Sequence, residues 1–289
     1  MHEILRHLTQ DSRVLDLGSS TGSFDPVVQA GKVVQVDLEF NSCARSARFV
    51  CADAARLPFR DAAFDAIICN HSLEHFAELA VSLQEIGRVL RPEGSLFVSV
   101  PDATRLSDVI YRWFMAPFGG HVNLFSSAQE VTRLVEAHSR TCHVGTRLLS
   151  ASFAYLNHRN LKPPVPPKKF ALCFWGKEFP LLLFNALLPL TDRILGTRTS
   201  VYGWALYFGR ILEPIDANGW INVCLRCGQG GPSAWLEARG CVRSGFRLLR
   251  LYTCPHCGAR NYFSRDEAYP QLRGSSRDPS LVVRKSIRN

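Results

Sequence analysis

Over its first hundred residues the chain alternates short apolar, β-branched runs with stretches of helical periodicity. Arg13-Val14-Leu15-Asp16-Leu17 reads as a first strand, preceded by a short helix over residues 2–8. Residues 33–36, 49–51, 64–69 and 95–100 read as four more strands. Strands separated by helical patterns argue for a parallel sheet with crossover helices. Leu79, Leu83, Ile86, Val89 and Leu90 recur at helical spacing, and Pro92-Glu93-Gly94 is expected to stop that helix. Ser127 followed three residues later by Glu130 is a capping box, opening a helix through Val131, Leu134 and Val135. Further on, residues 162–168 form an extended, proline-stiffened linker, and residues 170–175 and 179–190 are strongly apolar. Residues 202–208 look like one more strand, and the Arg/Ser-rich stretch from Arg265 is expected to be disordered.

Charge divides the chain. The net charge is +9 over 289 residues, yet from Asn218 onward there are twelve basic residues against four acidic ones. The front is therefore nearly neutral and the back basic, which suggests two parts with different partners. His2, Glu3, Arg6 and His7 interrupt any apolar run at Met1, so no signal peptide is expected. No uninterrupted apolar stretch reaches the roughly 20 residues of a spanning helix. Of ten cysteines, four form two Cys-x-x-Cys pairs, and the others are scattered, several within apparent core strands. That distribution points to metal binding in a cytoplasmic protein with reduced thiols rather than to a disulfide framework.

The chemistry-bearing residues fall at strand ends. After the first strand comes Asp16-Leu17-Gly18-Ser19-Ser20-Thr21-Gly22, where Gly18 permits a tight turn and Gly22 lets a helix begin close to a ligand. Ordinary strand–turn–helix joints use glycine too, so the following strand ends carry the weight; ligands of doubly wound sheets bind at the carboxyl ends. Asp37, in Gln35-Val36-Asp37-Leu38, can accept hydrogen bonds from both ribose hydroxyls of a nucleoside, or can cap a helix. Asp53 can accept from an adenine amino group, or cap the turn leading to Leu57-Pro58-Phe59. Asn70-His71-Ser72-Leu73-Glu74-His75-Phe76 follows the fourth strand, where a substrate would meet the ligand.

The ordered set Val14-Leu15-Asp16-Leu17-Gly18 with Gly22, Val36-Asp37, Asp53-Ala54, Leu57-Pro58-Phe59, Phe64-Asp65, Ser72-Leu73-Glu74-His75 and Arg88-Val89-Leu90-Arg91-Pro92-Glu93-Gly94 resembles the class I S-adenosylmethionine-dependent methyltransferases, in the branch called methyltransferase type 11. The resemblance is continuous to about Pro101 and looser to Arg210. It implies a Rossmann-like α/β sheet of seven strands whose last, residues 202–208, runs antiparallel beside a hairpin partner at residues 141–149. It also implies that Gly18, Ser19 and Gly22 flank the methionine portion, that Asp37 holds the ribose, that Asp53 and Ala54 contact adenine, and that Asn70 lies near the sulfonium. Asp16 and Leu38 complete the donor set. Ser20 stands where the family usually has a glycine.

A sulfonium is already an activated methyl donor, so such an enzyme mainly aligns an acceptor in line with it and excludes water. A base is needed for a weakly acidic hydroxyl or a protonated amine. His71 and His121 are the candidate catalytic residues; His75 is read as packing or capping the next helix. Glu74 beside His75 would need a third metal ligand, which the sequence does not place, so no metal site is read there.

Cys224-Leu225-Arg226-Cys227-Gly228 and Cys254-Pro255-His256-Cys257-Gly258 supply four thiolates for tetrahedral Zn²⁺. They resemble a zinc ribbon, closed and structural, with residues 246–252 as the strand leading into the second knuckle; His256 is a spare and Cys241 a bystander. The expected organisation is a methyltransferase domain over 1–213 with an apolar insertion at 155–200, a ribbon over 214–264 and a basic tail over 265–289. The insertion is a core helix, a lid over a lipophilic substrate, or an interfacial membrane anchor. The expected activity is methyl transfer from S-adenosylmethionine to a small-molecule acceptor such as a sugar, lipid-linked compound or other metabolite. The alternatives are an RNA or protein methyltransferase whose ribbon presents the macromolecule, and a non-catalytic binding protein. Nucleic acid is not favoured, because aromatic residues for stacking are few beside Arg226, Arg243, Arg247 and Arg250.

Overall fold

The computed structural model describes residues 3–5, 8–20, 22–23, 32–39, 48–115, 120–157, 159–160, 177–212, 215, 219–245 and 249–265. The linker at 162–168, the apolar run at 170–175, the helix expected after Gly22 and the tail beyond Arg265 lie outside these residues. Of the expected helix over 2–8, residues 2, 6 and 7 also lie outside, and a 3-10 turn at Glu3–Leu5 is described.

Twelve strands and five helices are described. β1 (Arg13–Leu17), β2 (Lys32–Asp37), β3 (Phe49–Cys51) and β4 (Phe64–Asn70) precede α1 (Leu79–Val89) and β5 (Leu90–Pro101). Then come α2 (Leu106–Met115), α3 (Ala128–Ser139), β6 (His143–Ser150), α4 (Glu178–Leu195), β7 (Val201–Gly209) and β8 (Trp220–Val223). The chain closes with β9 (Gly230–Pro232), α5 (Ser233–Ala238), β10 (Val242–Gly245), β11 (Leu249–Thr253) and β12 (Arg260–Tyr262).

The main sheet has the order β3-β2-β1-β4-β5-β7-β6-β8-β9. β1 to β5 pair in parallel, and β7 runs antiparallel to both β5 and β6, as expected. Nine strands replace the expected seven. The reason lies at the β6 edge, where β8 pairs in parallel through Leu148↔Trp220 and Leu149↔Ile221 and β9 then pairs with β8. An edge strand left bare would expose unpaired backbone groups, and the extra pair covers it. A second sheet, β10-β11-β12, is antiparallel throughout.

The strands are apolar on both faces because both faces are covered. In β4, Ile67 and Cys69 join a core with Leu83, Ile86 and Val89 of α1 and Val131 and Val135 of α3. Ala66 and Ile68, one residue out of phase, join a second core with Ile4, Leu5, Phe97 and Tyr207. α1 ends at Val89, earlier than expected, because Leu90 already takes extended geometry and starts β5. The register then jumps from Phe64↔Leu90 to Ala66↔Ser95, so Pro92-Glu93-Gly94 lies within an irregularity of the strand. α3 is capped as its sequence suggests: Ser127 Oγ accepts from Glu130 N at 3.2 Å. The Glu130 carboxylate reaches one residue further back than a capping box requires, to Ser126 N at 3.0 Å.

α4 is the described α-helix of the apolar insertion. Leu181, Asn185, Leu188 and Asp192 form its buried face, packed with Phe153, Leu156 and Leu225. No helix among the described residues is long and apolar enough to cross a membrane.

Candidate functional site

The carboxyl ends of the parallel strands gather the residues that the sequence singles out. Gly18 N and Ser19 N both donate to Val36 O, at 2.8 and 3.1 Å, folding the loop after β1 onto the end of β2. Asp16 is 1 % exposed, and its two carboxylate oxygens accept from Ser23 Oγ and Ser23 N at 2.6 and 2.9 Å. Burial raises its pKa in spite of those bonds. Gly18 has φ 67°, and a Cβ there would stand 2.4 Å from Ser72 Cβ, so the end of β4 presses directly on this loop. Ser20 also has positive φ, 48°, which is why a glycine is usual at that place. Its strain is offset by Asp37, whose Oδ2 accepts from Ser20 N at 2.7 Å while Oδ1 accepts from Leu38 N at 2.8 Å.

A carboxylate offers about four acceptor positions. Two of Asp37's are used by the backbone, so the group can brace the loop and still accept from a ligand. Asp53 is exposed; its Oδ1 accepts from Ala55 N at 2.9 Å, which is the turn-capping role, and Ala54 beside it is buried. Leu38 is 69 % exposed at the rim. Asn70 ends β4 with its Oδ1 bonded by Ser99 Oγ at 2.8 Å. Gly22, at φ 105°, donates its N–H to Ser19 O at 2.6 Å. Ser19 Oγ and Ser72 Oγ are buried with no hydrogen-bond partner among the described residues.

Next to this loop lies a buried polar cluster that the sequence shows only in part. His71 takes a left-handed backbone, φ 54°, and its Nδ1 is 3.7 Å from Glu74 Oε1. Glu74 is 1 % exposed, and burial pushes its carboxyl up to about 8. Burial, with His121 and His75 nearby, lowers the His71 imidazole to about 4. His121 is reached from a separate segment: its Nδ1 stands 3.0 Å from Asp108 Oδ1. Asp108 is fully buried on α2, and its other oxygen accepts from Arg112 Nε at 2.7 Å. Tyr111 stacks on the His121 ring at a centroid distance of 5.0 Å, and His75 meets that ring edge-on at 5.0 Å. His75 therefore does not cap α1, whose N-cap is Glu78 with no side-chain bond. Asp108 and Tyr111 could not be found from sequence: they sit inside an ordinary amphipathic helix, with no motif around them.

The four knuckle cysteines come together. Cys224 Sγ is 3.6 Å from Cys257 Sγ, and Cys227 Sγ is 3.7 Å from Cys254 Sγ. Zinc–sulfur bonds near 2.3 Å in a tetrahedron place sulfurs about 3.8 Å apart, so the spacing fits a closed metal site and is far too long for disulfides. Gly228 and Gly258 take positive φ of 70° and 72°, letting each knuckle close by a bond from its own N–H to Cys224 O or Cys254 O. Cys224 Sγ accepts from Arg226 N at 3.4 Å and Asn261 Nδ2 at 3.5 Å. Arg226 also forks onto Glu178 of α4 with bonds of 2.5 and 2.6 Å, and Gln229 Nε2 reaches Ser23 O at 3.4 Å. The knuckle thus touches both the apolar helix and the loop after β1.

Residues 15–98 match the family described as a methyltransferase domain. Demethylmenaquinone methyltransferase of Beutenbergia cavernae is 38 % identical over 95 residues, covering 30 % of this chain and 40 % of that protein. The biotin biosynthesis bifunctional protein BioHC of Cellvibrio japonicus is 28 % identical over 140 residues, covering 45 % of this chain and 28 % of its own length. The chain spans less than half the length of these curated relatives. Among solved structures, the YcgJ protein of Bacillus subtilis aligns with TM-score 0.47 and 20 % identity, over 71 % of this chain and 94 % of that one. The matched residues 15–98 contain the loop after β1, Asp37, Asp53 and the end of β4.

Proposed function

We propose that the chain transfers a methyl group from S-adenosylmethionine to a small-molecule acceptor. The observation that carries this is the loop after β1, held by Val36 O and the Asp37 carboxylate and pressed against Ser72. A bare backbone turn, the Asp37 carboxylate and the end of β4 lie side by side there, which supports this reading. In this reading Gly18, Ser19 and Gly22 border the methionine portion, Asp16 shapes the turn through Ser23, and Asp37 with Leu38 takes the ribose. Asp53 and Ala54 border the adenine, and Asn70 faces the sulfonium. The acceptor enters beside His71 and His121. Attack on the methyl carbon breaks the carbon–sulfur bond and leaves a neutral thioether, so the chain's main task is alignment and exclusion of water. Relatives named as methyltransferases of small molecules, the demethylmenaquinone enzymes among them, support the acceptor class. The four cysteines are proposed to hold Zn²⁺ as a closed structural site.

Calorimetry of the full chain with S-adenosylmethionine and with its demethylated product is the first test. Binding of both is expected, weakened about tenfold or more by Asp37→Ala, which is about 1.4 kcal/mol. No binding by the zinc-loaded protein would overturn the donor assignment. Incubation with labelled donor and fractionated cell extract then tests the acceptor. Label in the low-molecular-weight fraction supports a small molecule; label confined to protein or RNA overturns it.

A further inference from the structure

Glu74, His75 and His121 present one donor atom each, all within 4.8 Å of one another. We propose that these three residues bind a divalent transition-metal ion, at a second metal site distinct from the cysteines, with a coordination position left open toward the acceptor.

The juxtaposition is built into the fold. Glu74 and His75 lie on the 3-10 turn Leu73–His75 at the end of β4. The segment carrying His121 is clamped onto that turn: Val122 N and Asn123 N donate to Glu74 O at 2.8 and 3.0 Å. Asn123 Nδ2 adds bonds to Leu73 O and Phe76 O at 2.9 and 2.7 Å. Four hydrogen bonds therefore fix the segment of His121 against the Glu74–His75 pair, with Tyr111 stacked on its ring.

The donor set is chemically apt. Two imidazoles and a carboxylate suit zinc, iron, cobalt or manganese in the divalent state, and three protein ligands leave room for an exogenous one. The Asp108 carboxylate stands beside the His121 ring, its Oδ1 3.0 Å from Nδ1 with no hydrogen bond between them, a place from which it can pair with the ring of a metal-bound histidine. The independent sign of a ligand is Glu74. It is 1 % exposed, and its Oε2 has no hydrogen-bond partner among the described residues. Its ion-pair neighbour among those residues is His71, at 3.7 Å, whereas Asp108 has Arg112. A buried carboxylate without a partner is costly, and a cation beside it removes the cost.

Resting on the proposed methyl transfer, the site also names an acceptor class. An acceptor hydroxyl on the open position would lose its proton to solvent more readily, as metal-bound water does. The resulting oxygen attacks the methyl carbon, the carbon–sulfur bond breaks, and its electron pair stays on sulfur. The acceptor class is thus a hydroxyl compound, such as an alcohol or phenol.

The test needs no donor, so its failure is separable from failure of the donor assignment. The full chain, first loaded with zinc at the cysteines, is titrated with Mn²⁺ and followed by paramagnetic resonance; Mn²⁺ avoids thiolates. One tightly bound ion per chain is expected, with affinity reduced about tenfold or more in His75→Ala and His121→Ala. His75 is exposed, so that variant should keep the fold, checked by its unfolding midpoint. Co²⁺ at the same site should give visible bands without thiolate charge transfer. No bound Mn²⁺, or an affinity unchanged from the parent chain in either variant, overturns the proposal.

Discussion

Gly18 shows how one missing Cβ shapes the site. Its φ of 67° is left-handed, and the space a side chain would take is filled by Ser72. Gly18→Ala therefore meets two separate penalties, backbone strain and a clash. Together they are expected to cost about 1–3 kcal/mol. Chemical denaturation should show that loss, and calorimetry a weaker donor. Adding Ser72→Gly removes the 2.4 Å contact and should return part of the stability but not the part owed to φ. Complete recovery would mean that the backbone is not strained there. The glycine itself was legible in sequence, as part of a strand–Gly-x-x-x-Gly pattern. Ser72 as its opposing surface was not, because 54 residues separate them and β4 reaches β1 only through sheet pairing.

Among elements, α4 departs furthest from what its composition suggests. A run of leucines and phenylalanines reads as apolar all round, yet the polar residues Asn185 and Asp192 are on the buried face. Asn185 Nδ2 donates to Ser152 O at 2.8 Å, and Asp192 gathers Thr197, Thr199 and Ser200 at the start of β7. The outward face keeps Phe179, Leu183, Leu187, Leu190 and Ile194 exposed. Burial alone would raise the Asp192 carboxyl, but the hydrogen bonds together hold it at about 2, below its usual 3.8. A carboxylate with depressed pKa stabilises the fold above its unfolded value. The contribution, about 2 kcal/mol, is thus present above pH ~4 and lost as pH falls toward ~2. Asp192→Asn should lower the urea midpoint at neutral pH, and its gap from the parent should shrink across that acid window. A gap independent of pH would mean that the carboxylate charge is not what holds the turn. A core helix is one of three readings that the apolar run allows, and its two polar anchors become intelligible only once β7 is seen beside it.

At the scale of the molecule, the cysteine part and the sheet are one continuous structure. β8 extends the main sheet and leads straight into Cys224, while Arg226 holds α4 and Gln229 touches the loop after β1. Loss of metal should therefore be felt beyond the knuckles. Stripping zinc with a chelator, or Cys254→Ser, is expected to lower the thermal midpoint. A loss of even about 3 kcal/mol would move a chain of this size by about 6–12 °C. Donor affinity should fall with it, because Ser23, which binds Asp16, also receives Gln229. An unchanged midpoint after verified metal loss would mean that the cysteine part stands apart energetically.

Local patterns were enough for the parallel strands, a strand at 202–208, α1 and α3, and the four cysteines as a set, whereas the antiparallel direction of that strand was implied by the family resemblance. These features rest on periodicity, capping and residue spacing, which are properties of neighbouring residues. The sequence also marked the loop of Gly18 and the acidic strand ends as a single motif order. Tertiary structure alone decided that the sheet continues to nine strands, because pairing of β8 with β6 joins residues 72 positions apart. It alone brought His121 from the segment after α2 to Glu74 and His75, and Asp108 behind it. Those contacts depend on how α2 and its following segment lie across the ends of β4 and β5. No run of neighbouring residues encodes that geometry, which is why the third ligand was missing from the sequence and present in the fold.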